Sequence, residues 1–167
     1  TARQFVAPLP VLPIYMDLPL ITGDEVAHAP YIAVTSDPWP GSAAVYRSFT
    51  ESNFGLLNLI GQRAIIGRTQ SVLKFAPSGQ FDQGLPVDVS LTSGALSSVE
   101  DAALLSGANL AAIGDGTPDG WEVFQFGKAE LIAEKTYRLS RRLRGQLGTD
   151  ALMPIEWPEG SWFVLLD

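Results

Sequence analysis

Along residues 85–91, LPVDVSL, apolar and polar positions alternate: Leu85, Val87, Val89 and Leu91 share one side, Asp88 and Ser90 the other. A period of two belongs to a strand with one face buried. The pattern returns in the last third of the chain. WEVFQF (121–126), KAELIA (128–133) and TYRLSRRLRG (136–145) predict a meander. In the last of these, Tyr137, Leu139, Arg141 and Leu143 fall on one face, and Arg138, Ser140, Arg142 and Arg144 on the other. NLAAIG (109–114) precedes the meander through the turn DGTPDG (115–120), and FVLLD (163–167) adds a final short strand.

Earlier segments are shorter. PYIAVTS (30–36), the turn signal DPWPG (37–41) and SAAVYRS (42–48) predict a hairpin over 30–48. FGLLNLI (54–60) and RAIIGRT (63–69) flank Gly61, and VLKF (72–75) follows. Residues 98–107 break the β pattern. Ser98 with Asp101 three residues on forms a capping box, Ala102, Ala103, Leu104 and Leu105 favour helix, and Gly107 stops it.

Residues 8–40 carry seven prolines, which removes donors and excludes helix. LPVLPIYMDLPL (9–20) reads as an extended strap whose apolar side chains must lie on this domain, a neighbouring domain or another chain. The predicted organisation is a Pro-rich strap over 1–20 and one β-rich domain over 21–167. The fold class is mainly β: an antiparallel β-sandwich or small barrel with one short helix near 98–107. The start at Thr1 rather than Met predicts a piece of a longer chain.

Composition narrows the chemistry. The 167 residues include 11 Lys+Arg and 18 Asp+Glu, a net charge of −7, which disfavours a nucleic-acid binder. Zero cysteines exclude disulfides, thiolate nucleophiles and Cys-held zinc or iron–sulfur clusters. No apolar run reaches the ~20 residues of a membrane helix. No catalytic, metal or cofactor site is expected.

The individual candidates read mostly as structure. His28 is the single histidine and sits in DEVAHAPY near Asp24 and Glu25, a weak signal for catalysis or metal. No G-x-S-x-G elbow and no phosphate loop is present. Asp115 and Asp119 could offer oxygens to calcium, but their spacing is that of a plain turn. The arginines of RLSRRLRG (138–145) form either a docking patch for an acidic partner or phosphate, or a solvated strand face with ion pairs. Trp121 belongs to the core, whereas Trp39, Trp157 and Trp162 are interface anchors or, alternatively, a glycan platform.

Longer words carry a resemblance. SGANLAAIG (106–114), DGWEVFQFGKAEL (119–131) and YRLSRRLRGQLGTD (137–150), together with PLITGDEVAHAPYIAV (19–34), DPWPGSAAVYRS (37–48) and FDQGLPVDVSL (81–91), span nearly the whole chain. They resemble the C-terminal hub region of the large tail-tip ("megatron", host-specificity) protein of gene transfer agents and related siphophage tails. LRGQLGT (143–149) after WEVFQF is the most specific part, and Arg142 departs from it where an apolar residue is expected.

The resemblance implies a non-enzymatic structural component of a tail tip or baseplate in a virion-like particle. It implies a trimer around the tail axis and contacts with distal tail and hub proteins. It also implies proximity to the host envelope and passage of DNA without specific binding. Six of the seven net negative charges fall before residue 121, which suits a surface that repels DNA phosphates. The structural motif is assigned to Trp121, Arg144, Gly145, Gly148 and Thr149, with Arg144 read as a clasp closing the strand's end. Assembly is expected through the strap and the exposed aromatics. The alternatives are a host-surface glycan-binding module and an envelope-degrading hydrolase.

Overall fold

Three phenylalanines, Phe124, Phe126 and Phe163, meet with ring centroids 6.2–6.4 Å apart and no solvent exposure. They mark the axis around which the computed structural model, describing residues 10–167, is built. The strands are β1 (Leu12–Met16), β2 (Tyr31–Thr35), β3 (Ala43–Arg47), β4 (Gly55–Ile60), β5 (Ile66–Thr69), β6 (Leu73–Lys74), β7 (Phe81–Asp82) and β8 (Val87–Leu91). After the helix α1 (Asp101–Leu105) come β9 (Leu110–Gly114), β10 (Trp121–Ala133), β11 (Thr136–Gln146), a 3-10 turn at Thr149–Leu152, β12 (Glu156–Trp157) and β13 (Trp162–Leu165).

Six strands close into an antiparallel barrel in the order β10-β9-β13-β5-β8-β11 and back to β10, with β7 added on β11. The protein is thus mainly β with one short helix. Alternation fills the barrel: Val87, Val89 and Leu91 from β8, Tyr137 and Leu139 from β11, and Ala111 and Ile113 from β9 point inward with the phenylalanines. Burying each large apolar side chain contributes about 1.5–3 kcal/mol.

The outer wall is also covered. Leu110, Ala112, Trp121, Val123, Ile66 and Val164 pack against Ile14, Met16, Leu18 and Ala33 of a β1–β2 ribbon. The strap is therefore not a free assembly element over residues 12–18. Leu12, Ile14, Met16 and Leu18 lie on this chain's own barrel, whereas Tyr15 is 46% exposed. Strap residues 1–9, including Pro8 and Leu9, lie outside the described residues.

Four further expectations are corrected. The predicted 30–48 hairpin does not form: β2 pairs with β1, and β3 pairs with β4. Residues 121–126 and 128–133 are one thirteen-residue strand rather than two. The helix is capped by Glu100 without a side-chain bond, and Ser98 instead bridges to Ala129 N and O. Leu85 is 79% exposed and stands just before the strand that buries Val87, Val89 and Leu91.

Candidate functional site

At Arg141 the alternation of β11 fails. This residue adopts a left-handed backbone (φ 54°), and beyond it Arg142, Leu143 and Arg144 are all buried. A bulge between Val123 and Gln125 then offsets the β10–β11 register, and Gly145 takes φ 58° beside it. Two arginines are thus carried into the protein, where each requires a charged partner.

Arg144 and Glu122 form the centre. Arg144 Nε donates to Glu122 Oε1 at 2.8 Å, Nη2 donates to Oε2 at 2.9 Å, and both side chains have 0% exposure. Glu122 Oε1 also accepts from Gly145 N at 3.1 Å, and Oε2 accepts from Trp157 Nε1 at 2.7 Å. Arg144 Nη1 donates to the Lys74 carbonyl at 2.5 Å and reaches Asp82 Oδ2 at 3.4 Å. Arg142 holds the same carboxylate with Nη2 at 2.8 Å and donates to the carbonyls of Leu139 and Leu85. Burial pushes the Arg142 guanidinium below its ordinary pKa, with Asp82 beside it pulling the other way. No buried side-chain nitrogen or oxygen among the described residues lacks a partner.

This arrangement joins separate strands through paired charges. Each oxygen of Glu122 accepts two bonds, and Asp82 bridges two guanidiniums. Both carboxylates are held by donors of this chain, Asp82 Oδ1 also accepting from Gly84 N at 2.8 Å. The cluster ties β6, β7, β10, β11 and β12 into one end of the barrel.

The rest of the predicted motif gathers around it. Gly145 has no room for a side chain, since a Cβ there would lie 2.7 Å from Asp150 Cβ. Gly148 (φ 78°) begins the 3-10 turn in open space. Thr149 Oγ1 accepts from Val123 N at 2.9 Å and donates to the Gln146 carbonyl at 2.7 Å, pinning that turn to the bulge. Trp121 is separate: it lies on the outer wall under the ribbon, with Nε1 donating to the Thr117 carbonyl at 2.6 Å.

Other candidates resolve differently. All four arginines of 138–145 face carboxylates of this chain, Arg138 with Asp88 and Arg141 with Asp101 besides the two buried pairs. The docking-patch reading fails on that count, and the solvated-face reading fails for Arg142 and Arg144. Trp157 is only 6% exposed, so it is neither an interface anchor nor a glycan platform. Trp162 is half-buried beneath the Arg68 guanidinium, 3.7 Å from its ring centroid. Asp115 closes its own turn by accepting from Thr117 N and Oγ1. His28 is exposed, and no three His, Asp or Glu side chains converge on a metal position among the described residues.

Sequence reasoning missed Asp82 and Glu122. The second left a signal: Glu122 shares the face of Phe124 and Phe126, and a carboxylate on a core face demands a cation. It also missed the surface character of β3–β4. Tyr46, Phe49, Phe54, Leu56, Leu57 and Leu59 are all more than half exposed, in a hairpin that joins none of the barrel strands.

Residues 64–164 match the family model described as Rcc01698-like, C-terminal. The chain belongs to this family. The matched span runs from the residues before β5 into β13, so the Rcc01698-like C-terminal unit is the closed barrel with its buried charge cluster. The ribbon β1–β2 and the hairpin β3–β4 precede the match. No curated protein sequence matches the chain.

Proposed function

We propose that this chain is a structural, non-enzymatic module of the tail tip or baseplate hub of a phage or gene transfer agent. One observation carries the reading: the charged groups inside the barrel are spent on one another, while large apolar side chains are concentrated on one hairpin outside it. A patch of that kind is the mark of an assembly surface. The resemblance of LRGQLGT and WEVFQF to tail-tip hub sequences supplies the setting. In that setting the barrel is the rigid body and the hairpin the contact arm, beside distal tail and hub proteins and the path of DNA.

Immunogold labelling of purified tailed particles with an antibody against the barrel tests the reading. Label confined to the distal tip of the tail is the expected result. Label on capsids alone, or particles that carry none of the chain, would overturn it.

A further inference from the structure

The change of phase at Arg141 also reshapes the outside of the barrel. Six non-glycine residues among those described have a left-handed backbone, and only Arg141 lies inside a strand. The cross-strand pairs Phe126↔Arg142 and Lys128↔Ser140 place Gly127 opposite it, where an added Cβ would lie 3.2 Å from the Arg141 carbonyl oxygen. A regular strand sends consecutive side chains to opposite faces. Here Ser140 and Arg141 instead share one outer wall with Lys128. Strained residues of this kind gather at binding sites and persist where their surroundings over-determine them. Arg141 is held in that way: Nε donates to Asp101 Oδ1 at 2.7 Å, and the guanidinium lies 4.0 Å from the Phe81 ring centroid.

The wall bounds a cavity of about 210 Å³ lined by Gln83, Gly84, Lys128, Ser140 and Arg141. Neither an apolar side chain nor a carboxylate is among these residues. In a chain of net charge −7, two cations meet here with an amide and a hydroxyl. Their donors are unspent. Arg141 gives Nε and Nη2 to Asp101, which lines the adjoining cavity, and keeps the rest of its five N–H groups. Lys128 forms no ion pair among the described residues. Its ammonium, the Gln83 amide and the Ser140 hydroxyl have no hydrogen-bond partner among them either. Because Asp101 and Phe81 already fix the guanidinium, that part of the ordering cost is met before any ligand arrives.

We propose that the Lys128–Ser140–Arg141 wall binds a single phosphate group, either free or at the end of a small ester. The lining selects this chemistry. With no apolar side chain it offers nothing to a hydrocarbon body, and its two cations repel a metal ion. Its volume is below the ~300 Å³ at which pockets for whole small molecules begin, so it takes a headgroup. A phosphate carries about −1.5 to −2 charge at pH 7 and suits two cations better than a carboxylate with one. The surroundings select an isolated phosphate. Glu100, Asp101 and Glu130 line the adjoining cavity and repel a strand carrying phosphates at every step. This site is independent of the assembly reading above.

The test is a titration of the isotope-labelled 167-residue chain at constant ionic strength, read from its amide NMR shifts. Inorganic phosphate and glycerol 3-phosphate should each give saturable shifts centred on Gly84, Lys128, Ser140 and Arg141, and acetate should not. Lys128→Gln should weaken binding about tenfold or more. Arg141→Gly should do the same with an unchanged circular dichroism spectrum, because glycine keeps the left-handed backbone while the guanidinium is lost. Ser140→Ala, expected to weaken binding, stands in if that variant does not fold. Tighter binding of glycerol 3-phosphate than of inorganic phosphate assigns a soluble ester. Flotation with phosphatidylcholine vesicles containing phosphatidic acid, abolished by Lys128→Gln, assigns a lipid headgroup with the same phosphate. Absence of saturable binding to every phosphate probe overturns the proposal. So does binding that Lys128→Gln and Arg141→Gly leave unchanged, or acetate binding as tightly at these residues. A DNA duplex that binds there more tightly than either soluble phosphate overturns it as well, since the wall would then be a nucleic-acid surface.

Discussion

Arg144 and Glu122 face each other with both side chains fully buried, joined by two parallel hydrogen bonds of 2.8 and 2.9 Å. Such a pair need not stabilise the fold relative to an apolar filling, but losing one half leaves a bare buried charge. Arg144→Ala should therefore destabilise the protein by about 3–5 kcal/mol, and Arg144→Lys by less, because one ammonium cannot match the fork. Urea unfolding gives both values. The double variant with Glu122→Gln should cost less than the two single changes added together. A loss below about 1 kcal/mol for Arg144→Ala would show that the pair is not what closes this end of the barrel.

The two motif glycines should respond unequally. Gly145 sits at φ 58° with Asp150 Cβ 2.7 Å from where its own Cβ would stand, whereas Gly148 at φ 78° has open space around it. Gly148→Ala carries only the left-handed backbone penalty, about 1 kcal/mol. Gly145→Ala adds a steric clash and should reach about 2–4 kcal/mol. Thermal melts of the pair of variants rank them, and equal losses would contradict the packing described at Gly145.

Trp157 reaches Glu122 through its indole N–H at 2.7 Å. Trp157→Phe keeps most of the apolar contact and removes that donor, so about 1.5–3 kcal/mol should be lost. Iodide should quench little of the Trp157 fluorescence, since this side chain is 6% exposed. Strong quenching assigned to Trp157 would return it to the surface.

Acid should loosen the loop before β2. The Glu25 carboxylate accepts from Thr22 N and Gly23 N, both at 2.9 Å, and the Thr22 backbone bond is the largest cause of a pKa lowered to about 2. A carboxyl depressed in the folded state stabilises it above the unfolded pKa, and that contribution is lost as pH falls from about 4.5 through about 2. Asp101 behaves with the same sign, because the hydrogen bond from Arg141 holds its carboxyl below the ordinary value. Carboxyl NMR titration should place the Glu25 midpoint near 2, in a resonance that is absent from Glu25→Gln. An ordinary Glu25 midpoint would mean that the loop is open in solution.

Much of the barrel is legible in the chain because alternation reports burial directly: Val87, Val89, Leu91, Tyr137 and Leu139 all face inward. What alternation cannot report is a change of phase. Arg141 in a left-handed conformation and the bulge beside Gly145 carry Arg142 and Arg144 inside, which the pattern alone assigns to a solvated face. Pairing partners are equally hidden. DPWPG reads as a hairpin turn, yet Tyr31–Thr35 binds the earlier Leu12–Met16, since apolar residues on both strands find the outer wall of the barrel. FGLLNLI forms the strand its apolar run predicts, yet the structure leaves Leu56, Leu57 and Leu59 in solvent. Composition measures what a segment could bury, not whether this chain supplies the other half.

The most direct measurement of the central claim is a density map of an intact tail tip from a particle that contains this chain. The account predicts the six-strand barrel at the tip, repeated about the tail axis, with Phe49 and Phe54 of each hairpin covered by a neighbouring chain. A tip fully accounted for by other proteins, or a barrel whose hairpin stands uncovered in solvent, would contradict it.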